Sequence, residues 1–353
     1  MKTILIMAGG TGGHIFPGLA VADEMRAAGW NVVWMGARGG MEERLVPSRG
    51  YQAAWIRARA ARGKGLLQKL VLPANLLLSF WESARHIRRI RPDVVLGLGG
   101  YVAFPGGMMA SLLNRPLALH EQNAIAGLAN RVLSGVCDKV MVAFPDALKH
   151  AEWTGNPVRR EIAALAPPEE RFAGRDGALH ILVVGGSLGA QALNEAMPKA
   201  IALLPDRPIV VHQSGEKHLE ALKAHYRGAG VEGELLAFID DMAQRYAQAD
   251  LVICRAGAVT VAELSAGGLA SVLVPFPYAV DDHQTANARF LADRGAAVLL
   301  PQKDLNPGSL AQLIQSLDRK KLLEMAKKAR ALGKPGAARL VAQRCVEIAR
   351  AAA

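Results

Sequence analysis

Ile4-Leu5-Ile6-Met7-Ala8-Gly9-Gly10-Thr11-Gly12-Gly13-His14 opens the chain with an apolar run that ends in a glycine-rich turn. A second stretch of the same kind, Ile181-Leu182-Val183-Val184-Gly185-Gly186-Ser187-Leu188-Gly189, begins the other half. In each, the apolar run predicts a buried strand and the residues after the glycines predict a helix. A turn of this type aims backbone N–H groups and the positive end of a helix dipole at one point, which suits phosphate. Two such turns at matching positions predict two similar nucleotide-fold halves facing each other across a cleft.

The alternation continues outward from both turns. Strands are expected at 2–8, 31–36, 93–98, 116–120 and 139–143, with helices around 17–28, 41–49, 75–90, 105–113 and 126–135. The second half repeats the pattern, with strands near 179–184, 208–213, 234–238, 250–254, 271–274 and 297–300. Strands alternating with helices give an α/β class, a doubly wound parallel sheet in each half. The segment Thr154-Gly155-Asn156-Pro157-Val158 has linker chemistry and sets a domain boundary near 156, dividing 1–156 from 157–335. After Gly333-Lys334-Pro335-Gly336 the residues 336–353 form a separate Ala-rich helix.

With 353 residues, two domains are the default. Apolar residues make up 51% of the chain, enough to bury two parallel sheets. Cys137, Cys254 and Cys345 are odd in number and far apart, so they form neither a disulfide framework nor a metal spacing. This fits a reducing compartment, and Cys137 and Cys254, at or in apolar strands, read as inert core thiols. The N-terminus enters a strand directly, without the pattern of a signal peptide, and no apolar run of ~18 residues spans a bilayer. The net charge of +11 is uneven: Arg57 to Arg91 holds nine basic residues against Glu82 alone. That segment also contains the most apolar stretch, Leu66 to Trp81, and the pair of properties fits either an anionic membrane face or a helix buried against the sheet. It carries no nucleic-acid recognition motif.

The first glycine loop lacks the Lys-Ser/Thr of a P-loop, and the strand at 31–36 ends in Met35-Gly36-Ala37-Arg38 without the acid that holds a dinucleotide ribose. A nicotinamide enzyme is disfavoured. His14 is the titratable group of that loop and a candidate general base, against the alternative that it caps the turn. Gly97-Leu98-Gly99-Gly100-Tyr101 and His120-Glu121-Gln122-Asn123 close two further strands, at the carboxyl edge where open α/β sheets bind ligands. In the second half Gly257 frees a turn, the N–H groups of Ala258, Val259 and Thr260 open a helix, and Glu263 follows one turn on. Phosphate at that helix start with Glu263 on a ribose diol makes a coherent nucleotide site. Asp281-Asp282 reads as ordinary helix-start residues, not as a metal site, and Gln284 is suited to a sugar hydroxyl.

These motifs occur in order with Gly155-Asn156-Pro157-Val158-Arg159, and together they closely resemble glycosyltransferase family 28, the UDP-N-acetylglucosamine transferases of peptidoglycan synthesis, over essentially the whole chain. The resemblance implies a GT-B fold, two Rossmann-like domains with the C-terminal helix 336–353 returning to the first. It implies an inverting hexosyltransferase that moves GlcNAc from UDP-GlcNAc to the 4-hydroxyl of MurNAc in lipid I (undecaprenyl-diphosphate-MurNAc-pentapeptide), giving lipid II. The first domain would take the acceptor and the membrane, the second UDP-GlcNAc. By motif match, donor contacts fall on Thr11, Gly12, Gly13, Asn123, Arg159, Ser187, Ile239, Ala258, Val259, Thr260, Val261, Ala262, Glu263 and Gln284. The acceptor diphosphate falls on Thr11, Gly12, Gly13, Gly99, Gly100 and Tyr101, with His14 as the base. No cofactor and no obligatory metal are implied; Arg159 and helix dipoles would stabilise the leaving diphosphate. Ala256 and His283 stand where some family members carry Ser and Gln. A lipid acceptor favours the membrane reading of the basic segment, through Lys64, Leu66, Leu67, Lys69 and Leu70 at the cytoplasmic face of the cell membrane. Other cell-wall and division proteins are implied partners, and nucleic acid is not. The rival readings are another UDP-sugar enzyme of this fold, such as a glycolipid glycosyltransferase or a UDP-GlcNAc 2-epimerase, and a non-catalytic UDP-sugar-binding scaffold.

Overall fold

The computed structural model describes residues 1–58, 66–186 and 189–352, with the side chains of 66–72 excepted. Lys64 and Ser187 lie outside the described residues, as do the side chains of Leu66, Leu67, Lys69 and Leu70. Two compact units emerge: Met1–Arg159 together with Gly336–Ala353, and Arg160–Pro335.

The first unit contains β1 (Thr3–Met7), β2 (Asn31–Ala37), β3 (Gln52–Ile56), β4 (Val94–Gly97), β5 (Leu117–Glu121), β6 (Lys139–Val142) and β7 (Glu152–Trp153). They form one parallel sheet in the order β3-β2-β1-β4-β5-β6-β7. Period-two alternation splits the apolar run of β1 between two cores. Ile4 and Ile6 point to one face with Ile15, Leu19 and Met25 of the helix Gly12–Ala27. Leu5 and Met7 point to the other, with Ile87, Val102 and Ala110. A strand buried on both sides has no solvent face, which is why its sequence runs apolar without interruption.

The first of these faces is closed by the other end of the chain. Val341, Ala342, Cys345 and Ala349 of the helix Ala337–Ala351 are buried in the same cluster as Ile4 and Ile6. The helix is also tied at its rim: Arg344 donates from Nε and Nη2 to the Glu152 carboxylate at 2.8–3.0 Å, and Lys139 Nζ lies 2.8 Å from it. The Arg344 hydrogen bonds, then Lys139, hold the Glu152 carboxyl down at about 2, well below its ordinary range. A depressed folded-state value stabilises the protein above the unfolded carboxyl range and loses that contribution as the pH falls toward 2. Glu152→Gln is therefore expected to lower the melting temperature at pH 7, with the gap to wild type closing between pH about 4.5 and about 2. A gap that is the same at every pH in thermal melts would remove the tie from the stability of this unit.

The second unit holds β8 (His180–Val184), β9 (Ile209–Gln213), β10 (Glu234–Leu236), β11 (Leu251–Cys254), β12 (Ser271–Leu273) and β13 (Val298–Leu299). Its sheet is also parallel, in the order β10-β9-β8-β11-β12-β13. The helix Ala258–Gly267 follows β11, and its last carbonyls are capped by arginines. Arg171 donates to the carbonyls of Gly267 and Gly268, and Arg330 to that of Ala266. Cations at the C-terminus complement the dipole whose positive end lies at Ala258. In both sheets the strand order reverses once, between β1 and β4 and between β8 and β11, and these reversals are the switch points where open α/β sheets bind ligands.

β3 and β7 add to the expected strands, and the first helix begins at Gly12 instead of 17. The expected helix 75–90 is the later part of a longer one, Leu66–Ile90. Burial pushes the thiols of Cys137, Cys254 and Cys345 up to about 12, which keeps them protonated and inert at neutral pH. No helix among the described residues is long and apolar enough to cross a membrane.

Candidate active site

At the first switch point two glycine turns lie against each other. Gly100 has φ +78°, and a Cβ there would overlap the Gly9 carbonyl oxygen. Gly10 has φ +93°, and a Cβ there would come within 3.0 Å of the Tyr101 ring. Glycine is required at both on conformation and on space. The turns after β1 and β4 thus converge, as expected from adjacent parallel strands.

Not every N–H in this cluster is available to a ligand. Glu42, wholly buried, reaches under the loop and accepts hydrogen bonds from Gly10 N and Ala37 N, both at 3.2 Å. The next helix starts differently. Thr11 makes no side-chain cap, the first turn carries no acid, and the N–H groups of Gly12 and Gly13 have no partner among the described residues. Uncapped N–H groups at a helix start are the kind of donors that can face an anion.

His14 sits one residue further on, its ring packed on Gly99, where an added Cβ would lie 3.0 Å from Cε1. Its Nδ1 is 2.6 Å from Gln122 Oε1. Gln122 Nε2 lies 3.0 Å from His120 Nδ1 and donates to the His120 carbonyl at 2.8 Å. His120 Nε2 lies 2.9 Å from the Gly155 carbonyl. Complete burial lowers the His120 imidazole to about 4. Glu121 plays a different part: its carboxylate accepts from Asn123 N and Nδ2, Gly127 N and Asn130 Nδ2, and so pins the loop that follows β5. The Asn123 amide nitrogen is one of those donors, at 3.3 Å. Tyr101 is half-buried, and desolvation, reinforced by Glu42, raises its phenol above the ordinary value. Arg159 stands at the end of this unit, partly exposed.

The second unit repeats the plan with different parts. Gln213, at the end of β9, clamps the turn after β8 by accepting from Gly186 N and donating to Gly186 O, both at 3.1 Å. Beside it, Gly257 has no side-chain cap to offer, and the N–H groups of Ala258, Val259 and Thr260 have no partner among the described residues. Val261 N already bonds Gly257 O and belongs to the helix proper, with Ala262 behind it. Glu263 is buried and accepts from the Tyr246 hydroxyl at 3.3 Å. Ile239 is also buried. Gln284 Oε1 accepts from Phe276 N at 2.9 Å, leaving the amide nitrogen as its donor. His283 Nδ1 is engaged with the Val280 carbonyl at 2.7 Å. Asp281 and Asp282 have φ near +50°, and Asp282 accepts from the Thr285 hydroxyl instead of capping a backbone N–H. No group of three or more His, Cys, Asp or Glu among the described residues is arranged to hold a metal ion.

Three residues here carried no individual sign in the sequence: Glu42, Gln213 and Gln122 as a hydrogen-bond hub. Glu42 reads as a helix-start acid, and nothing local separates it from the adjacent, exposed Glu43.

Residues 4–142 match the glycosyltransferase family 28 N-terminal domain, and residues 180–343 match the glycosyltransferase family 28 C-terminal domain. A relative from Aromatoleum aromaticum is 67% identical over 351 residues, covering 99% of this chain and 98% of the relative. It is named UDP-N-acetylglucosamine–N-acetylmuramyl-(pentapeptide) pyrophosphoryl-undecaprenol N-acetylglucosamine transferase. A protein of the same name from Azoarcus sp. is 64% identical, covering 99% of each chain. The crystal structure of MurG from Acinetobacter baumannii superposes with a TM-score of 0.86 at 42% identity, covering 98% of this chain and 100% of that one. With both family domains matched in order on two parallel sheets of the GT-B type, the chain belongs to glycosyltransferase family 28.

Proposed function

We propose that the chain transfers GlcNAc from UDP-GlcNAc to the 4-hydroxyl of MurNAc in lipid I, with inversion, to form lipid II for peptidoglycan synthesis. One observation supports the reading beyond the relatives' names: each unit has an uncapped helix N-terminus beside a switch-point glycine turn, and in the first unit His14 lies within that helix's first turn. A reaction between two diphosphate-bearing substrates needs two anion sites, and it needs a base on the side of the acceptor. Gly12 and Gly13, with Thr11 and the Gly99-Gly100-Tyr101 turn, hold the acceptor diphosphate. The N–H groups of Ala258 to Thr260 hold the donor diphosphate, with Glu263 on the ribose, the Ile239 main chain at the uracil and Gln284 on the sugar. Ser187, Asn123 and Arg159 complete the donor contacts.

His14 takes the proton of the 4-hydroxyl as its oxygen attacks the anomeric carbon from the face opposite UDP. The bond from that carbon to the diphosphate oxygen breaks, and UDP leaves with the electron pair. Helix N–H groups and Arg159 stabilise the charge that develops, a task a divalent ion performs in other enzymes. No cofactor enters the scheme.

The acceptor is a membrane lipid, and we place the first unit at the cytoplasmic face of the cell membrane as a peripheral protein. Leu77, Trp81 and Leu112 are 71%, 58% and 68% exposed and would supply apolar contacts to such a surface. The helices Leu66–Ile90 and Ala103–Leu112 that carry them pack together. Arg85, whose guanidinium lies 5.6 Å from the Trp81 ring, and exposed Arg88 and Arg89 add the charge that anionic headgroups attract. Lys64, Leu66, Leu67, Lys69 and Leu70 extend the same segment. Other cell-wall and division proteins are further proposed partners.

Incubation with UDP-GlcNAc and a short-chain lipid I analogue, in EDTA, is expected to give a disaccharide lipid by mass spectrometry and one UDP per product. UDP-GlcNAc binding without product, where a known lipid I transferase works, would remove the acceptor assignment.

A further inference from the structure

The hydrogen bonds behind His14 run in one direction. The chain of contacts ends on the Gly155 carbonyl oxygen, which can only accept, so His120 Nε2 must carry a proton. His120 is wholly buried and neutral, so its Nδ1 is an acceptor. Gln122 therefore faces two acceptors at one end, His120 Nδ1 at 3.0 Å and the His120 carbonyl at 2.8 Å. Only an amide NH2 can serve both, and this settles which way the side chain is turned. Its carbonyl oxygen then faces His14 Nδ1 at 2.6 Å, and that nitrogen must be the donor. Gln122 is 1% exposed, so no water competes for the arrangement.

We infer that Gln122, oriented by His120 and the Gly155 carbonyl, is a positioning residue that fixes His14 as its Nδ1–H tautomer and so puts the lone pair on Nε2. This rests on the reading of His14 as base. A free neutral imidazole is not held in this form, and in the opposite one Nε2 already bears a hydrogen and cannot accept another. In the transfer step the acceptor O–H bond breaks and an Nε2–H bond forms. The imidazolium keeps its Nδ1–H bond to Gln122. The counterpart facing it is a neutral amide, so the ring is aimed without the permanent ion pair that an aspartate would supply.

The decisive measurement is long-range 15N–1H NMR on the full chain with labelled histidine, at alkaline pH where the ring is neutral. Wild type is expected to show a pyrrole-like Nδ1 and a pyridine-like Nε2 for His14. Gln122→Met, similar in size but without the hydrogen bonds, is expected to shift the ring toward Nε2–H. It should lower kcat by roughly 10- to 100-fold while the KM for UDP-GlcNAc stays within about twofold. An Nε2–H signal in wild type overturns the inference, and that spectrum decides even if the variant fails to fold. A folded Gln122→Met chain with the wild-type tautomer and full kcat overturns it as well. The base reading is separated by His14→Ala: full turnover there removes the base while an Nδ1–H wild-type spectrum leaves the tautomer assignment standing.

Discussion

Replacing His14 by alanine is expected to lower kcat for the proposed transfer by roughly 10²- to 10⁴-fold, the usual worth of a general base. The affinity for UDP is expected to change by less than about twofold, because the diphosphate grip assigned to Ala258, Val259 and Thr260 is untouched. The fold should tolerate the change. The lost side chain leaves Gln122 Oε1 without its partner at 2.6 Å, a cost of about 1–3 kcal/mol. His14→Asn makes the sharper control, since its amide can still donate to Gln122 but cannot take a proton at neutral pH. Both variants are read by UDP release at saturating acceptor and by calorimetric binding of UDP. An asparagine variant with wild-type kcat would mean that proton removal by this residue is not part of the reaction.

Removing the C-terminal helix, residues 336–353, is expected to abolish the cooperative unfolding of the first unit and to leave that of the second in place. Val341, Ala342, Cys345 and Ala349 cover Ile4 and Ile6 of β1 together with the buried side of the helix Gly12–Ala27. Burying one large aliphatic side chain contributes about 1.5–3 kcal/mol, and a whole domain is stable by only about 5–15 kcal/mol. Losing the helix removes the burial of Val341 and the smaller contributions of Ala342, Cys345 and Ala349, exposes the side chains beneath it and breaks the Arg344–Glu152 tie. Calorimetry of the truncated chain should show one transition in place of two, with hydrogen-exchange protection kept in β8 to β13 and lost in β1 to β6. Undiminished protection of β1 would mean that the sheet closes its own core without the helix.

The glycine turns were legible because their signal is local. A positive φ at Gly10, Gly99, Gly100 or Gly186 selects glycine wherever the residue lies in the fold. Buried strands such as Ile181-Leu182-Val183-Val184 announce themselves by composition in the same way. β3 did not, because Gln52-Ala53-Ala54-Trp55-Ile56 contains one β-branched residue and its pairing with β2 supplies what propensity lacks. β7 is two residues long and exists through β6. The true start of the first helix is hidden because Gly12 and Gly13 are poor helix formers and Pro17 favours a helix start. The polar contacts of the site were legible least. Glu42 meets Gly10 across 32 positions and Gln122 meets His14 across 108, and only the sheet order brings them together. Sequence identified the loops that offer N–H groups. It had no means to reveal that the Gly10 N–H is already taken by a buried carboxylate.

The two units do not mature in the order in which they are encoded. The first contains both ends of the chain, whereas the second is the uninterrupted stretch Arg160–Pro335. On the ribosome, β1 to β7 emerge first yet must wait for the helix Ala337–Ala351 before the Ile4 and Ile6 face, already shared by the helix Gly12–Ala27, is fully closed. At about 5–20 residues per second, synthesis of the intervening stretch takes roughly ten to thirty seconds. Throughout that interval an apolar sheet face is open to chaperones and to its own kind. Early release of the nascent chain, before Ala337–Ala351 is made, thus leaves the N-terminal half without its last covering helix.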